Sequence, residues 1–339
     1  MKWLKPKECG LSKTAHVSHV HDGGFMINRL PDYWVQRVLR KIAGPSQFPA
    51  GLKLQFRTDS TRLVLKYSCG RIIGPLIQKI IILVDQYQLE YKVESGKEPV
   101  EFLVNLHVKS TKLVQIHFPW GAEIVLHGIG VDDQAVLSPD HDNRRTICFC
   151  GDSITQGFYA SSPVHTYPYL VSQGAALQFI NHGYHGLAFP DPALAIYLAK
   201  EVPWDILCLA IGVNAYLFGQ QAVAEFEKLY RVFLDIIRLY KPTQPVFCIS
   251  PIWQKDGDGD RKLNVKNGSL LDYRTAIQNV VINRQTKDQQ LYFINGLLLI
   301  DSGEDLGADG LHPDDAGMKA IARGILLAFR INGLINKIL

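Results

Sequence analysis

The sequence predicts an α/β protein in two parts: an all-β sandwich or jelly roll, then a parallel sheet with helices on both faces. Three observations carry this. Residues 50–135 hold short runs of alternating apolar and polar residues separated by turn-forming residues. Beyond residue 138, buried strand-like runs alternate with stretches of helical period. Between the two lies SPDHDNRR, polar and Pro-containing. The expected division is 1–137, a linker at 138–145, and 146–339.

The β half begins with Leu52, Leu54 and Phe56 alternating with Lys53 and Gln55. Further runs follow at 62–67, 77–84, 89–93, 100–108, 113–118 and 123–131. Thr58-Asp59-Ser60, Cys69-Gly70, Ser95-Gly96-Lys97 and Trp120-Gly121 are the expected turns. Only 33–42 reads as helical here. In the second half, 146–150, 177–180, 205–211, 245–250 and 291–294 read as strands. Helices are expected at 165–177, 220–240, 270–286 and 314–331. The second of these carries Val223, Phe226, Leu229, Tyr230, Phe233, Ile236 and Ile237 at helical spacing.

Composition excludes several classes. The chain has 339 residues, 47% of them hydrophobic and 20% charged, which is ordinary globular usage. Lys+Arg number 36 against 32 Asp+Glu, a balance that leaves no footprint for nucleic acid. No apolar run approaches the ~18–20 residues of a membrane span. The N-terminus, MKWLKPKECGLSK, has early lysines but no apolar stretch of a signal peptide behind them. The six cysteines are scattered, and Cys148, Cys208 and Cys248 sit in apolar runs. Buried reduced thiols in a cytoplasmic protein are the expectation.

Gly151-Asp152-Ser153-Ile154-Thr155-Gln156-Gly157 directly follows the strand at 146–150. Ligands of parallel sheets bind at the carboxyl ends of strands, so a Ser there lies at the rim, at a helix start. It is either a nucleophile or a simple helix cap. Asp309-Gly310-Leu311-His312-Pro313 precedes the last helix. Asp and His three apart let a carboxylate hold one imidazole nitrogen and leave the other for a Ser proton. Alone, the pair also suits a capped loop. Gly212-Val213-Asn214 ends one strand, and Asn181-His182-Gly183-Tyr184-His185-Gly186 follows another. An Asn amide and a Gly N–H converging with the Ser153 N–H would hold an oxyanion.

Together these blocks resemble the SGNH hydrolase superfamily, the GDSL-like esterases and lipases, over roughly residues 145–335. The resemblance implies Ser153 as nucleophile, with Asp309 and His312 completing the triad. It implies Ser153, Gly186 and Asn214 as oxyanion donors, Gly183 being the alternative to Gly186. It also implies a flavodoxin-like three-layer fold. One departure is Ala215, where the family commonly has Asp after the Asn, which puts the bracing of that loop in question. The β half, with Gly128-Ile129-Gly130-Val131-Asp132-Asp133 near its end, is similar to the jelly-roll domain of bimodular carbohydrate esterases of the acetylxylan type. The implied activity is hydrolysis of a short acyl ester, an acetyl on a sugar, needing no metal or organic cofactor. A lipase-like esterase, an acyltransferase, or a carbohydrate-binding protein on a non-catalytic scaffold are the alternatives. The partner is a small-molecule or carbohydrate ester, not nucleic acid or membrane.

Other features carry less. Asp256-Gly257-Asp258-Gly259-Asp260 lacks the Gly and Glu that a calcium loop needs, with Arg261 and Asn267 in those places, and reads as a mobile rim loop. His16, His19 and His21 read as a half-exposed N-terminal segment rather than a metal cluster. His182 and His185 either touch substrate or cap a turn. Asn267-Gly268-Ser269 is a glycosylation sequon only in a secreted protein. Trp253 is the tryptophan expected nearest the site.

Overall fold

The computed structural model describes residues 1–12, 14–20, 23–37, 43–140 and 142–335. His21 and residues 38–42 of the expected first helix lie outside these. The chain forms two compact units. One comprises Met1–Pro31, Ala43–Asn143 and Ser161–Val164; the other comprises Asp32–Ile42, Arg144–Ala160 and His165–Leu339.

The first unit is two antiparallel sheets. Its strands are β1 (Lys2–Leu4), β2 (His16–His19), β3 (Phe25–Asn28), β4 (Lys53–Thr58), β5 (Arg62–Ile72), β6 (Lys79–Val84), β7 (Tyr87–Lys92), β8 (Gly96–Asn105), β9 (Lys112–His117), β10 (Ala122–Val131) and β11 (Leu137–Pro139). One sheet runs β2-β3-β10-β5-β8 with β1 also on β10, and the other runs β11-β4-β9-β6-β7. Alternation places every second side chain on one face. Leu63, Leu65, Ile124 and Leu126 of the first sheet share one buried core with Leu54, Phe56, Ile80, Ile82, Val114 and Ile116 of the second. Asp132 locks the end of β10. Its carboxylate accepts from the Thr61 N–H (2.8 Å), the Thr61 hydroxyl (2.7 Å) and Arg62 Nε (2.9 Å). These hydrogen bonds hold its carboxyl far below the usual range, burial pulling the other way.

Several expectations need correction here. Cys69-Gly70 is not a turn: β5 continues through it, with the register shifting between Tyr67 and Cys69 against β8. Ser95-Gly96-Lys97 is not a turn throughout, because β8 starts at Gly96. The half-exposed N-terminal reading of His16 and His19 holds, the two lying on β2 opposite Asn28 and Phe25 of β3. The start of the expected linker is a strand: Leu137, Ser138 and Pro139 pair with Thr58, Arg57 and Phe56.

The second unit contains a five-stranded parallel sheet of order β13-β12-β14-β15-β16, the doubly wound 2-1-3-4-5 order. The strands are β12 (Thr146–Gly151), β13 (Gln178–Gly183), β14 (Ile206–Ala210), β15 (Val246–Ile249) and β16 (Leu291–Ile294). The helices of the chain are α1 (Asp32–Val35), α2 (Ala43–Ser46), α3 (Ser153–Gln156), α4 (Tyr167–Gly174), α5 (Pro192–Lys200), α6 (Val213–Phe218), α7 (Val223–Tyr240), α8 (Leu270–Gln285) and α9 (Asp315–Ile331). Ile147 and Phe149 of β12 enter one core with Val171 of α4 and Ile321, Ile325 and Phe329 of α9. Cys148 and Cys150, pointing the other way by strand alternation, are buried too, so both faces of β12 are covered. All six cysteines are buried and free. Burial raises the Cys150 thiol to about 12, so it stays protonated. No helix among the described residues is long and apolar enough to cross a membrane.

Candidate active site

Gly151 closes β12, and Asp152 caps α3 by accepting the Ile154 N–H at 2.8 Å. A Cβ at Gly151 would lie 2.1 Å from Thr155 Oγ1 and 2.9 Å from the Ala210 carbonyl, so the strand-to-helix turn requires glycine there. Ser153 thereby takes the first helical position at the carboxyl end of β12. Burial pushes the Asp152 carboxyl up to about 6, although the Ile154 N–H and His312 pull it down.

The loop before α9 brings His312 to Ser153. Ser153 Oγ lies 2.7 Å from His312 Nε2, and His312 Nδ1 lies 2.6 Å from Asp309 Oδ2. With the Nδ1 proton donated to the carboxylate, Nε2 is left to accept from the serine hydroxyl. Asp309 Oδ1 also accepts the N–H groups of Leu311 and His312, both at 3.0 Å. Burial raises the Asp309 carboxyl, but the hydrogen bonds from His312 and Leu311 outweigh it and the net shift is downward. The carboxylate thus stays ionised beside the imidazole. The loop is pinned on itself by Gly307 N–H to His312 O (2.8 Å) and from outside by Lys255 N–H to Gly310 O (2.9 Å).

The candidate oxyanion donors separate cleanly. β13 runs to Gly183, beyond the expected end at 180, and the Gly183 N–H is occupied by Asn181 Oδ1 at 2.8 Å. A Cβ at Gly183 would lie 2.2 Å from Gln156 N and 2.6 Å from Thr155 C. Gly183 is therefore a packing glycine that lets β13 meet α3. Gly186 lies on the turn beyond, at φ +72°. Asn214 is in the first turn of α6, a helix the strand-end reading did not anticipate. Its Oδ1 accepts the Ala188 N–H at 3.0 Å, which orients the amide. Ala215, at the position where bracing was in question, is fully buried.

Sequence reasoning missed several neighbours. Phe158 and Tyr159 follow the GDSITQG block and flank the His312 ring. Their centroids lie 4.6 and 5.9 Å from it, Tyr159 nearly parallel at 9°. Tyr159 holds a left-handed φ of 71°, and a Cβ at Gly307 would strike its ring at 2.2 Å. Adjacency to the GDSITQG block was the available signal. Arg274 of α8 was missed as well. It is 6% exposed and grips Asp258 through Nη1 (2.6 Å) and Nη2 (2.7 Å). It also donates to the carbonyls of Pro251 (2.8 Å) and Ile252 (2.7 Å). The Asp256–Asp260 segment is accordingly a single π-type turn, Lys255–Gly259, tied to α8 rather than a loose rim loop.

Other candidates resolve differently. His182 is buried, with Nδ1 2.7 Å from the Tyr184 hydroxyl and its ring edge-on to Tyr197. His185 donates its backbone N–H to Gln156 Oε1 at 3.0 Å. Both are turn and core residues by these contacts. Trp253 packs beside Gly303, where a Cβ would lie 3.0 Å from its ring. Ser269 of the sequon caps α8 in a reciprocal pair with Asp272. Among the described residues, no group of three His, Cys, Asp or Glu side chains converges to hold a metal ion.

A doubly wound sheet with Ser, His and Asp in hydrogen-bond register at its carboxyl edge is the architecture of a serine hydrolase. Residues 144–326 match the GDSL-like lipase/acylhydrolase family, and the chain belongs to it, an SGNH-type ester hydrolase. Solved structures share the fold. The salicylyl-acyltransferase SsfX3 from a tetracycline biosynthetic pathway is 21% identical, with a TM-score of 0.86 and 98% of each chain covered. A family two carbohydrate esterase from Clostridium thermocellum is 16% identical with a TM-score of 0.65, covering 84% of this chain and 95% of its own. The acetyl xylan esterase Est2A from Butyrivibrio proteoclasticus is 12% identical with a TM-score of 0.59, covering 84% and 90%. No curated protein matches the chain in sequence.

Proposed function

We propose that the protein hydrolyses a small-molecule or carbohydrate ester through an acyl-enzyme on Ser153. The observation that carries this is the continuous relay from Ser153 Oγ through His312 to Asp309, at 2.7 and 2.6 Å. His312 Nε2 takes the Ser153 proton as Oγ attacks the ester carbonyl. The negative oxygen so formed is held by the N–H groups of Ser153 and Gly186 and by Asn214 Nδ2. The imidazolium, steadied by Asp309, then protonates the leaving alcohol as the carbonyl reforms. Water, deprotonated by His312, attacks the acyl-enzyme, and the carboxylic acid leaves as Ser153 recovers its proton.

The carbohydrate alcohol is supported by the likeness in fold to a carbohydrate esterase and an acetyl xylan esterase over 84% of this chain, and acetyl is the simplest acyl group the relay would accept. Transfer to an acceptor alcohol is the second reading. It is favoured by the likeness to the salicylyl-acyltransferase along 98% of both chains. The two differ only in what attacks the acyl-enzyme.

The test is hydrolysis of p-nitrophenyl acetate by wild type and Ser153→Ala, together with an intact-mass search for a phosphonate adduct on Ser153. Activity that Ser153→Ala abolishes, with an adduct on wild type alone, is the expected result. Full activity in Ser153→Ala would overturn the reading. Added glycerol or sugar that diverts product from acid to new ester would favour transfer.

A further inference from the structure

Asn214 and Phe218 stand four residues apart on α6 and share one helical face. Asn214 is buried, whereas Phe218 is 50% exposed. The same phenyl ring reaches Gly186: a Cβ there would lie 3.7 Å from Phe218 Cζ. Phe218 therefore adjoins two of the three donors assigned to the oxyanion, Asn214 and Gly186.

It is not alone. Leu263 and Val265 are 60% and 84% exposed, and Val265 packs where a Cβ on Gly219 would fall, 2.5 Å from its Cγ2. Their turn is held firmly. The Tyr216 hydroxyl donates to Lys262 O (2.8 Å), Asn264 Nδ2 donates to the Tyr273 hydroxyl (2.9 Å), and that hydroxyl donates to Gln221 O (2.6 Å). Single exposed apolar residues are ordinary, but three gathered on braced backbone beside a reactive centre mark a surface built to be covered.

The chemistry says by what. The leaving oxygen must lie on the His312 side to receive its proton, and the aromatic neighbours of that ring are Phe158 and Tyr159. Phe218 is not among them. The remaining substituent of the tetrahedral carbon is the acyl chain. Resting on the serine-esterase reading above, we propose that Phe218, with Leu263 and Val265, forms an apolar shelf that selects the acyl group of the ester. One helical turn separates Asn214 from Phe218, a rise of about 6 Å, so an acyl chain longer than acetyl lays more of its apolar length along the ring.

Phe218 is the specificity-determining residue in this reading. A methylene fully removed from water gains roughly fourfold in binding, and one laid on a half-exposed shelf about twofold. Hexanoate, four methylenes longer than acetate, should then exceed it in kcat/KM by about tenfold or more. The experiment compares p-nitrophenyl acetate, butyrate and hexanoate on wild type, Phe218→Ala, the double variant Leu263→Asn/Val265→Asn, and Ser153→Ala. The expected result is a hexanoate-to-acetate ratio well above one that falls severalfold in Phe218→Ala and less steeply in the double variant. The exposed sites of the double variant keep the test open should Phe218→Ala misfold. An acetate preference in wild type, or a ratio that neither variant moves, overturns the shelf and leaves the esterase intact. Wild type inactive on all three esters, or Ser153→Ala fully active, overturns the esterase reading and the shelf with it.

Discussion

Replacing Arg274 by methionine keeps the length of the side chain and removes its charge. The guanidinium, 6% exposed, holds both oxygens of Asp258 and the carbonyls of Pro251 and Ile252. Without it, the Asp258 carboxylate, 18% exposed, keeps the Gln254 N–H at 3.0 Å, and two backbone carbonyls lose a donor. Breaking a buried ion pair from one side costs ~3–5 kcal/mol, and the partial exposure of Asp258 points to the lower end, about 3. Arg284→Met on the same helix is the control. Its pair with Asp235 is at the surface, the acid being 63% exposed, and its loss should cost less than ~1 kcal/mol. Urea unfolding followed by circular dichroism measures both. Thermal scans should show a drop of about 4 °C for Arg274→Met, since an unfolding entropy of about 2 cal/mol/K per residue over 339 residues moves Tm by about 1.4 °C per kcal/mol. Function should follow, because the turn pinned by Arg274 supplies the Lys255 N–H that holds the Asp309–His312 loop at Gly310. A loss from Arg274→Met no larger than that from Arg284→Met would refute the reasoning.

Three further outcomes are expected. Asn214→Ala should lower kcat by ~100- to 1,000-fold on any substrate ester, the usual cost of one oxyanion donor, and a KM-only change would count against that role. Gly183→Ala should fail to fold or melt far below wild type, because its Cβ meets the backbone of Thr155 and Gln156, and a near-native Tm would disprove the close-packing account. Asp152→Asn tests a pH effect. The native carboxyl keeps its proton to about 6 and the unfolded one to near 3.8, so the native state binds more protons between those values. Its contribution is therefore full below pH 3.8 and lost as pH rises through 6, on the order of 3 kcal/mol. Asn keeps the cap and cannot titrate, so wild type should lose stability relative to Asp152→Asn between pH 4 and pH 7. Parallel stability curves over that range would contradict it.

How much of this was legible depended on how local the signal was. Residues 146–150 and 291–294 read as strands because they are short, mostly apolar runs, and β12 and β16 lie there. α7 was legible from its apolar stripe. α5, by contrast, was overlooked: PALAIYLAK is apolar nearly all round and shows no stripe. β1, β2 and β3 are three or four residues long and exist through pairing, β1 with a strand some 125 residues away in sequence. α6 is hidden behind GVN, which reads as a strand-end turn.

The sequence by itself determined the change from alternating strands to a strand–helix alternation and the strand, turn and helix around Ser153, because a strand, a tight glycine turn and a helix start are all local. It likewise set Asp309 beside His312, three residues apart on one loop. Only the tertiary structure decided which glycine packs, since Gly183 and Gly186 are alike until Gln156 and Asn181 come against the first. It alone joined Arg274 to Asp258, closed Tyr159 over His312 and stood Phe218 against Gly186. Such contacts depend on where separate strands and helices come together in space, and sequence spacing holds no record of that.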